Sequence, residues 1–213
     1  MVDDTHARFL ATLSHDLRGG LHGVQLALEM LHRDVQDSRP VEQVLEDIRL
    51  ARLALNDCAV RADRLISARR LEAGLIPARL ADMDAVESIR QAMAQATGVA
   101  DEYTQRVQAH LPDRWTIRSD ARLLGLIVGG LLDHALRRTA GTIVVSADPA
   151  TRAVRIMAEA RWLNPADQAA LTVFGGPLEL DAAMIGLHVA RLAAAALNVS
   201  LLVERDGEVV LRL

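Results

Sequence analysis

One short segment of this chain has residue types and spacing suited to phosphoryl chemistry: Phe9-Leu10-Ala11-Thr12-Leu13-Ser14-His15-Asp16-Leu17-Arg18. On a helix, at about 100° per residue, His15 lies about 200° from Leu13 and about 160° from Leu17. The imidazole is therefore expected off the apolar seam, in solvent. An exposed imidazole followed by a carboxylate suits a nucleophile that accepts a phosphoryl group. The neutral ring nitrogen attacks, and Asp16 orients the ring or takes up the released proton. Arg18 lies about one turn from His15, where a cation can steady the group in transfer; a plain solubilising role suits it equally. His22, seven residues on, shares that exposed face and could be a second acceptor. No acid follows it, so it reads as a solvated surface histidine. His6 and His32 have no such context.

The elements that must position these residues follow from periodicity. Leu10, Leu13, Leu17, Leu21, Val24, Leu28 and Leu31 recur at steps of three and four, as do Val44, Ile48, Ala51, Leu55, Cys58, Ala62 and Leu65. Residues 4–73 therefore read as two long helices, each burying one stripe, with a turn at Asp37-Ser38-Arg39-Pro40. A lone hairpin covers little core and is expected to double into a dimeric four-helix bundle. Residues 74–77 end the second helix, giving domains of 1–75 and 76–213. Beyond them the pattern mixes helices (84–97, 120–138, 182–196) with strands (105–110, 114–118, 142–147, 153–158, 200–204, 209–213). The last two strands are split by an Asp206-Gly207 turn. Without strict βαβ alternation, this predicts an α/β sandwich, one mixed sheet covered by helices.

Composition limits the function classes. The 213 residues are 51% hydrophobic but only 2% aromatic, so the core is built of Leu, Ala, Val and Ile. All 24 basic residues are Arg, a usage that a GC-rich genome explains, and the net charge is −4. No basic field exists to hold nucleic acid or an anionic membrane. The single Cys58 excludes an internal disulfide and a cysteine-based zinc site, and it reads as a small core residue. The acidic start lacks an apolar signal core, and no apolar run is long enough to span a membrane. The expectation is a cytoplasmic protein whose signal arrives through a partner.

The His15 segment resembles the phosphoacceptor box of sensor histidine kinases, Phe-Leu-Ala-Xaa-Leu-Ser-His-Glu-Leu-Arg-Thr-Pro-Leu. It matches over 9–18 and again at Leu21, with Asp16 for Glu. It departs at Gly19 and Gly20, where the family has Thr and Pro. In the family, the residue four after the histidine positions water for dephosphorylating a response regulator. Gly19 has no side chain to do so. Two glycines also cost the helix about 1 kcal/mol each relative to Ala and allow a local bend.

The resemblance continues in decayed form. The family's nucleotide-binding helix reads Asp … Asn-Leu-Leu-Xaa-Asn-Ala-Xaa-Lys-Tyr-Thr. Asp120, Leu123, Leu131, Leu132, Ala135 and Thr139 keep its skeleton, while Gly130 and His134 replace the asparagines. The second asparagine normally holds magnesium, which prefers hard oxygen ligands to imidazole. In the family's Asp-Xaa-Gly-Xaa-Gly box, the best register sets Ala160 at the aspartate and Trp162 and Asn164 at the glycines. Glu159 falls one place off, on the opposite face of a strand. The Gly-Leu-Gly-Leu box appears as Met184-Ile185-Gly186-Leu187, with one glycine of two. The framework residues Ile156, Leu187, Val189 and Leu192 stay apolar. His188, Trp115 and Trp162 read as ordinary fold or surface residues.

A kept acceptor box beside three decayed nucleotide boxes implies a histidine phosphotransfer protein that relays phosphate between receiver domains. A receiver is then expected to dock over Ala11, Ser14, Arg18, His22 and Gln25. No cofactor is expected, with Mg2+ entering only through the receiver. The alternatives are a non-catalytic pseudokinase scaffold and an active kinase with a divergent pocket.

Overall fold

A computed structural model describes residues 2–97, 101–172, 184–204 and 207–213, with the side chains of 2–17, 20, 101 and 102 left out. The chain forms two compact units, Met1–Ile66 and Ser67–Leu213. The division falls inside the second helix, ahead of the Gly74 turn where the sequence pattern breaks. The physical reason is that Leu71, in that helix's last turn, packs on the core of the second unit.

The first unit is a hairpin of α1 (Val2–Gln36) and α2 (Val41–Glu72) up to Ile66, the last turns of α2 belonging to the second unit. Its turn places Ser38 at φ 52° and returns the Arg39 N–H to the Asp34 carbonyl. α1 stays helical through Gly19 and Gly20. A Cβ built at Gly23 would lie 3.9 Å from Ala54, so α1 and α2 meet at small residues there. Within the single chain the two expected seams are covered in part. Cys58 and Leu65 are buried and Val44 and Ala51 half-buried, whereas Ile48 and Leu55 are exposed. On α1, Val24 and Leu31 are half-buried, but Leu21 and Leu28 are exposed. Steps of three and four thus merge two adjacent stripes, of which the hairpin covers one.

In the second unit, a five-stranded sheet has the order β2 (Val107–His110), β4 (Ile143–Asp148), β5 (Ala153–Ala158), β7 (Val209–Arg212), β6 (Ser200–Val203). Only β2 and β4 run parallel, with Val107 opposite Ile143; the other pairs are antiparallel. Alternate residues Ile143, Val145, Val154, Ile156, Val209 and Leu211 face one core. Over that face lie α3 (Ala85–Thr97), α5 (Ala121–Arg138) and α7 (Ile185–Leu197), through Ile89, Leu123, Ile127, Leu187 and Ala190. A small antiparallel pair, β1 (Ala81–Asp84) and β3 (Thr116–Ser119), flanks this layer. The expected α/β sandwich is therefore present.

Local chemistry sets the boundaries. Asp120 caps α5 by accepting from the N–H groups of Arg122 and Leu123, and it also holds the Arg79 N–H at 2.8 Å. Asn198, left-handed at φ 56°, ends α7 and returns its N–H to the last turn. Three elements differ from the sequence reading. The strand expected over 105–110 starts at Val107, because α4 (Asp101–Arg106) occupies the preceding residues. The helix expected from 84 begins at Ala85, since Asp84 closes β1 and accepts from the Val86 and Trp115 N–H groups. An unanticipated α6 (Pro165–Thr172) follows β5. Part of the helix expected over 182–196, and Asp206 of the last turn, lie outside the described residues.

The tightest packing is where α5 crosses α7. A Cβ built on Gly130 would stand 2.3 Å from the Gly186 carbonyl oxygen, and one on Gly186 would stand 2.5 Å from that of Gly130. Both backbones touch, so neither position admits a side chain. At Gly125, on the same helix, a Cβ meets nothing within 4 Å. Gly130→Ala is therefore expected to cost about 1–3 kcal/mol by overpacking. Gly125→Ala should gain about 0.5–1 kcal/mol from helix propensity. Urea unfolding of the two variants checks the opposite signs.

Candidate functional site

α1 carries Ala11, Ser14, His15 and Asp16 as helical residues; their side chains lie outside those described. Arg18, His22 and Gln25 follow on the same helix, and all three are exposed. The helix spacing sets Arg18 three residues, and His22 seven, beyond His15, and both are exposed.

Of the positions matched to the nucleotide boxes, Gly130 and His134 lie on α5, Gly186 on α7, and Trp162 packs beside His134. Gly130 is spent on the backbone contact with Gly186 described above. His134 is fully buried, and its Nε2 stands 3.4 Å from Asp167 Oδ2. Asp167, equally buried, caps α6 reciprocally: it accepts the Asn164 N–H at 3.0 Å, while Asn164 Oδ1 accepts the Asp167 N–H at 2.9 Å. Arg138 reaches Asp167 Oδ1 at 3.6 Å, so the buried carboxylate has a cation near it. Trp162 is only 2% exposed, and its ring lies 6.0 Å from that of His134. Indole, imidazole and carboxylate together fill the space between α5 and α6. Ala160, the residue in register with the adenine-binding aspartate, is exposed. Glu159 lies beyond the end of β5, so the expectation that it faces the other side of a strand does not apply. It is exposed and accepts the Thr142 N–H at 3.1 Å.

Met184 precedes α7 and gives it no side-chain cap. The nearby Asp133 carboxylate would lie 3.6 Å from a Cβ at Gly186, and it pairs with Arg137 at 3.1 Å. One turn into α7, His188 is buried rather than an incidental surface residue. Its Nε2 is 2.8 Å from Glu72 Oε1, and its Nδ1 is 3.3 Å from Arg191 Nη2. A carboxylate only accepts and a guanidinium only donates, which assigns the Nε2–H tautomer. Arg69 donates to the other Glu72 oxygen at 2.8 Å.

Sequence reasoning missed Glu72, Asp133, Asp167 and His188 as a set. A signal existed for one of them: Asn164-Pro165-Ala166-Asp167 is a cap, a first-turn proline and an acid three residues on, which together announce a helix. The others are partners across long sequence separations, and no local spacing marks them. Trp115 and Trp162 are buried fold residues, as one of the two readings had it, and Cys58 is buried as expected.

No protein-family model matches the chain, and no curated protein matches its sequence. Solved structures do match. The histidine kinase AdeS of Acinetobacter baumannii is 16% identical with TM-score 0.54, covering 92% of this chain and 94% of that one. A bacterial phosphotransferase is 15% identical with TM-score 0.51, covering 99% and 96%. Full-length ShkA, solved in complex with AMPPNP, is 22% identical with TM-score 0.53, covering 95% of this chain and 44% of that one. At these identities the likeness is one of fold: helices followed by an α/β sheet domain, as in sensor histidine kinases. Among the described residues, no helix is long and apolar enough to cross a membrane.

The Glu72 contacts carry a pH signature. The hydrogen bond from His188 above all, then the hydrogen bond and positive charge of Arg69, hold its carboxyl below the ordinary range against the opposing effect of burial. A depressed folded value means the stabilisation is present at neutral pH and is lost as pH falls through that lowered value. Glu72→Gln should therefore flatten the acid side of the Tm–pH curve. Thermal melts between pH 3 and 7 check it.

Proposed function

We propose that the chain is a histidine phosphotransfer protein of two-component signalling, passing a phosphoryl group between receiver domains through His15 without using ATP. The observation that carries this reading is a contrast. The acceptor box is kept over 9–18, while the positions matched to nucleotide binding are taken up by the chain's own groups. MgATP does not fit the residues present. The Gly130 and Gly186 backbones leave no gap, His134 is turned to Asp167, and Trp162 is buried beside it. Three separate contacts are lost together, and no one substitution restores them.

In the step itself, a His15 ring nitrogen attacks the phosphorus of a receiver's aspartyl phosphate. The P–N bond forms as the bond to the aspartate oxygen breaks, and the carboxylate leaves. Asp16 orients the ring or takes the proton that the ring releases. The reverse step delivers the group to a second receiver's aspartate. Magnesium belongs to the receiver's site. Docking over Ala11, Ser14, Arg18, His22 and Gln25 is supported by the exposure of the last three, and Arg18 supplies a cation near the acceptor.

The same reading has the chain act as a homodimer. Leu21, Leu28, Val41, Leu45, Ile48 and Leu55 are exposed along the hairpin, a row of apolar side chains that a second hairpin would cover in a four-helix bundle. A second functional reading, a non-catalytic scaffold that binds a kinase or receiver, is favoured by Gly19 and Gly20 at the family's Thr and Pro.

Radiolabelled phospho-receivers should transfer base-stable, acid-labile label to the wild type and not to His15→Ala. Label taken directly from MgATP would make the chain a kinase. Receiver binding by both variants without transfer would make it a scaffold.

A further inference from the structure

The hairpin buries carboxylates where its apolar residues stay outside. From Arg18 to Leu50, the buried side chains among those described are Asp34 and Asp47, while Leu28, Met30 and Leu45 are exposed. Gly23 meets Ala54 across the hairpin. Asp47 stands seven residues before Ala54 and Asp34 eleven after Gly23, spacings that set both on the faces where the helices meet. Asp47 is 5% exposed, and its Oδ2 is shut from water with no hydrogen-bond donor among the described residues. Arg49, two residues on, pairs with Glu46 at 2.6 Å on the exposed side. Burying a carboxylate without a donor costs free energy, and Val44 and Ala51, its neighbours on the same face, are only half-buried. The other end of the hairpin is built differently. There the same face of α2 buries Cys58 and Leu65. His15 lies eight residues before Gly23, so it is level with Ala62, eight after Ala54 and between those two apolar residues.

We propose that Asp47 is a built-in weak point of the hairpin, through which the turn end, residues 28–50, opens locally while the end bearing His15 stays closed. Opening returns the Asp47 carboxylate to water and so relieves the cost of burying it. The apolar seam at Cys58 and Leu65 gains nothing from opening and holds its end together. His22 and Gln25 flank Gly23, at the border between the two halves. A partner seated over them would meet a surface that adjusts on one side and keeps the acceptor segment in place on the other. The device does not depend on whether His15 carries phosphate.

Amide hydrogen exchange on the 213-residue chain tests it, comparing wild type with Asp47→Ala and Asp47→Asn. Asp63→Ala is the control: it removes an exposed acid from the same helix, with the same change in charge and helix propensity as Asp47→Ala. Exchange over 28–50 should slow about tenfold in Asp47→Ala, the size expected when a buried, unpaired charge is taken away. It should slow in the same direction in Asp47→Asn, which keeps the shape of the side chain. Residues 55–66 should exchange as in wild type in both, and the control should leave 28–50 unchanged. Exchange over 28–50 that slows in neither Asp47 variant would overturn the weak point, since the carboxylate would then cost the hairpin nothing. Slowing that spreads equally over 55–66 would overturn local opening, because the hairpin would then open as one piece.

Discussion

The second unit depends on one contact: α5 and α7 cross with the Gly130 and Gly186 backbones in touch. Because neither residue has a Cβ, Leu131, Leu187 and Ala190 come close enough to close the core over the inner face of the sheet. That approach draws Asp133 up to the start of α7 and leaves His134 to point at Asp167. Packing density of this kind has no slack: a side chain at either glycine would part the helices and loosen everything seated between them. Of the two glycines, Gly186 stands where the family also has one, while Gly130 stands in place of an asparagine. A glycine at position 130 supplies the room for this close crossing.

Burial of polar groups follows the same logic. Asp167 and His134 are shut away from water, an arrangement tolerable only because each does several jobs. Asp167 caps α6, lies 3.4 Å from His134 Nε2 and faces Arg138. A buried carboxylate with these partners specifies how α6 meets α5, whereas one left alone would be strongly destabilising. Polar residues have thus been turned inward, to hold the domain's shape.

Much of this was legible in the sequence, for identifiable reasons. The sandwich was, since strands such as Ala153–Ala158 alternate cleanly and α5 announces itself by Asp120 at its cap. The departures from the family's nucleotide boxes are legible too, because a motif is local. How those positions pack is not. His188 meets Glu72 across 116 positions, and no spacing rule links the two. The hairpin is legible only up to its partners. A heptad-like rhythm reports that apolar residues share a side, not whether the same chain covers them: Leu65 is buried within the chain and Leu55 is exposed.

If the chain's own groups, rather than a nucleotide, complete the second unit, MgATP should find no site in it. Calorimetric titration of MgATP into the 213-residue chain tests it most directly. The account predicts no saturable heat at millimolar nucleotide. A stoichiometric, magnesium-dependent binding curve would contradict it.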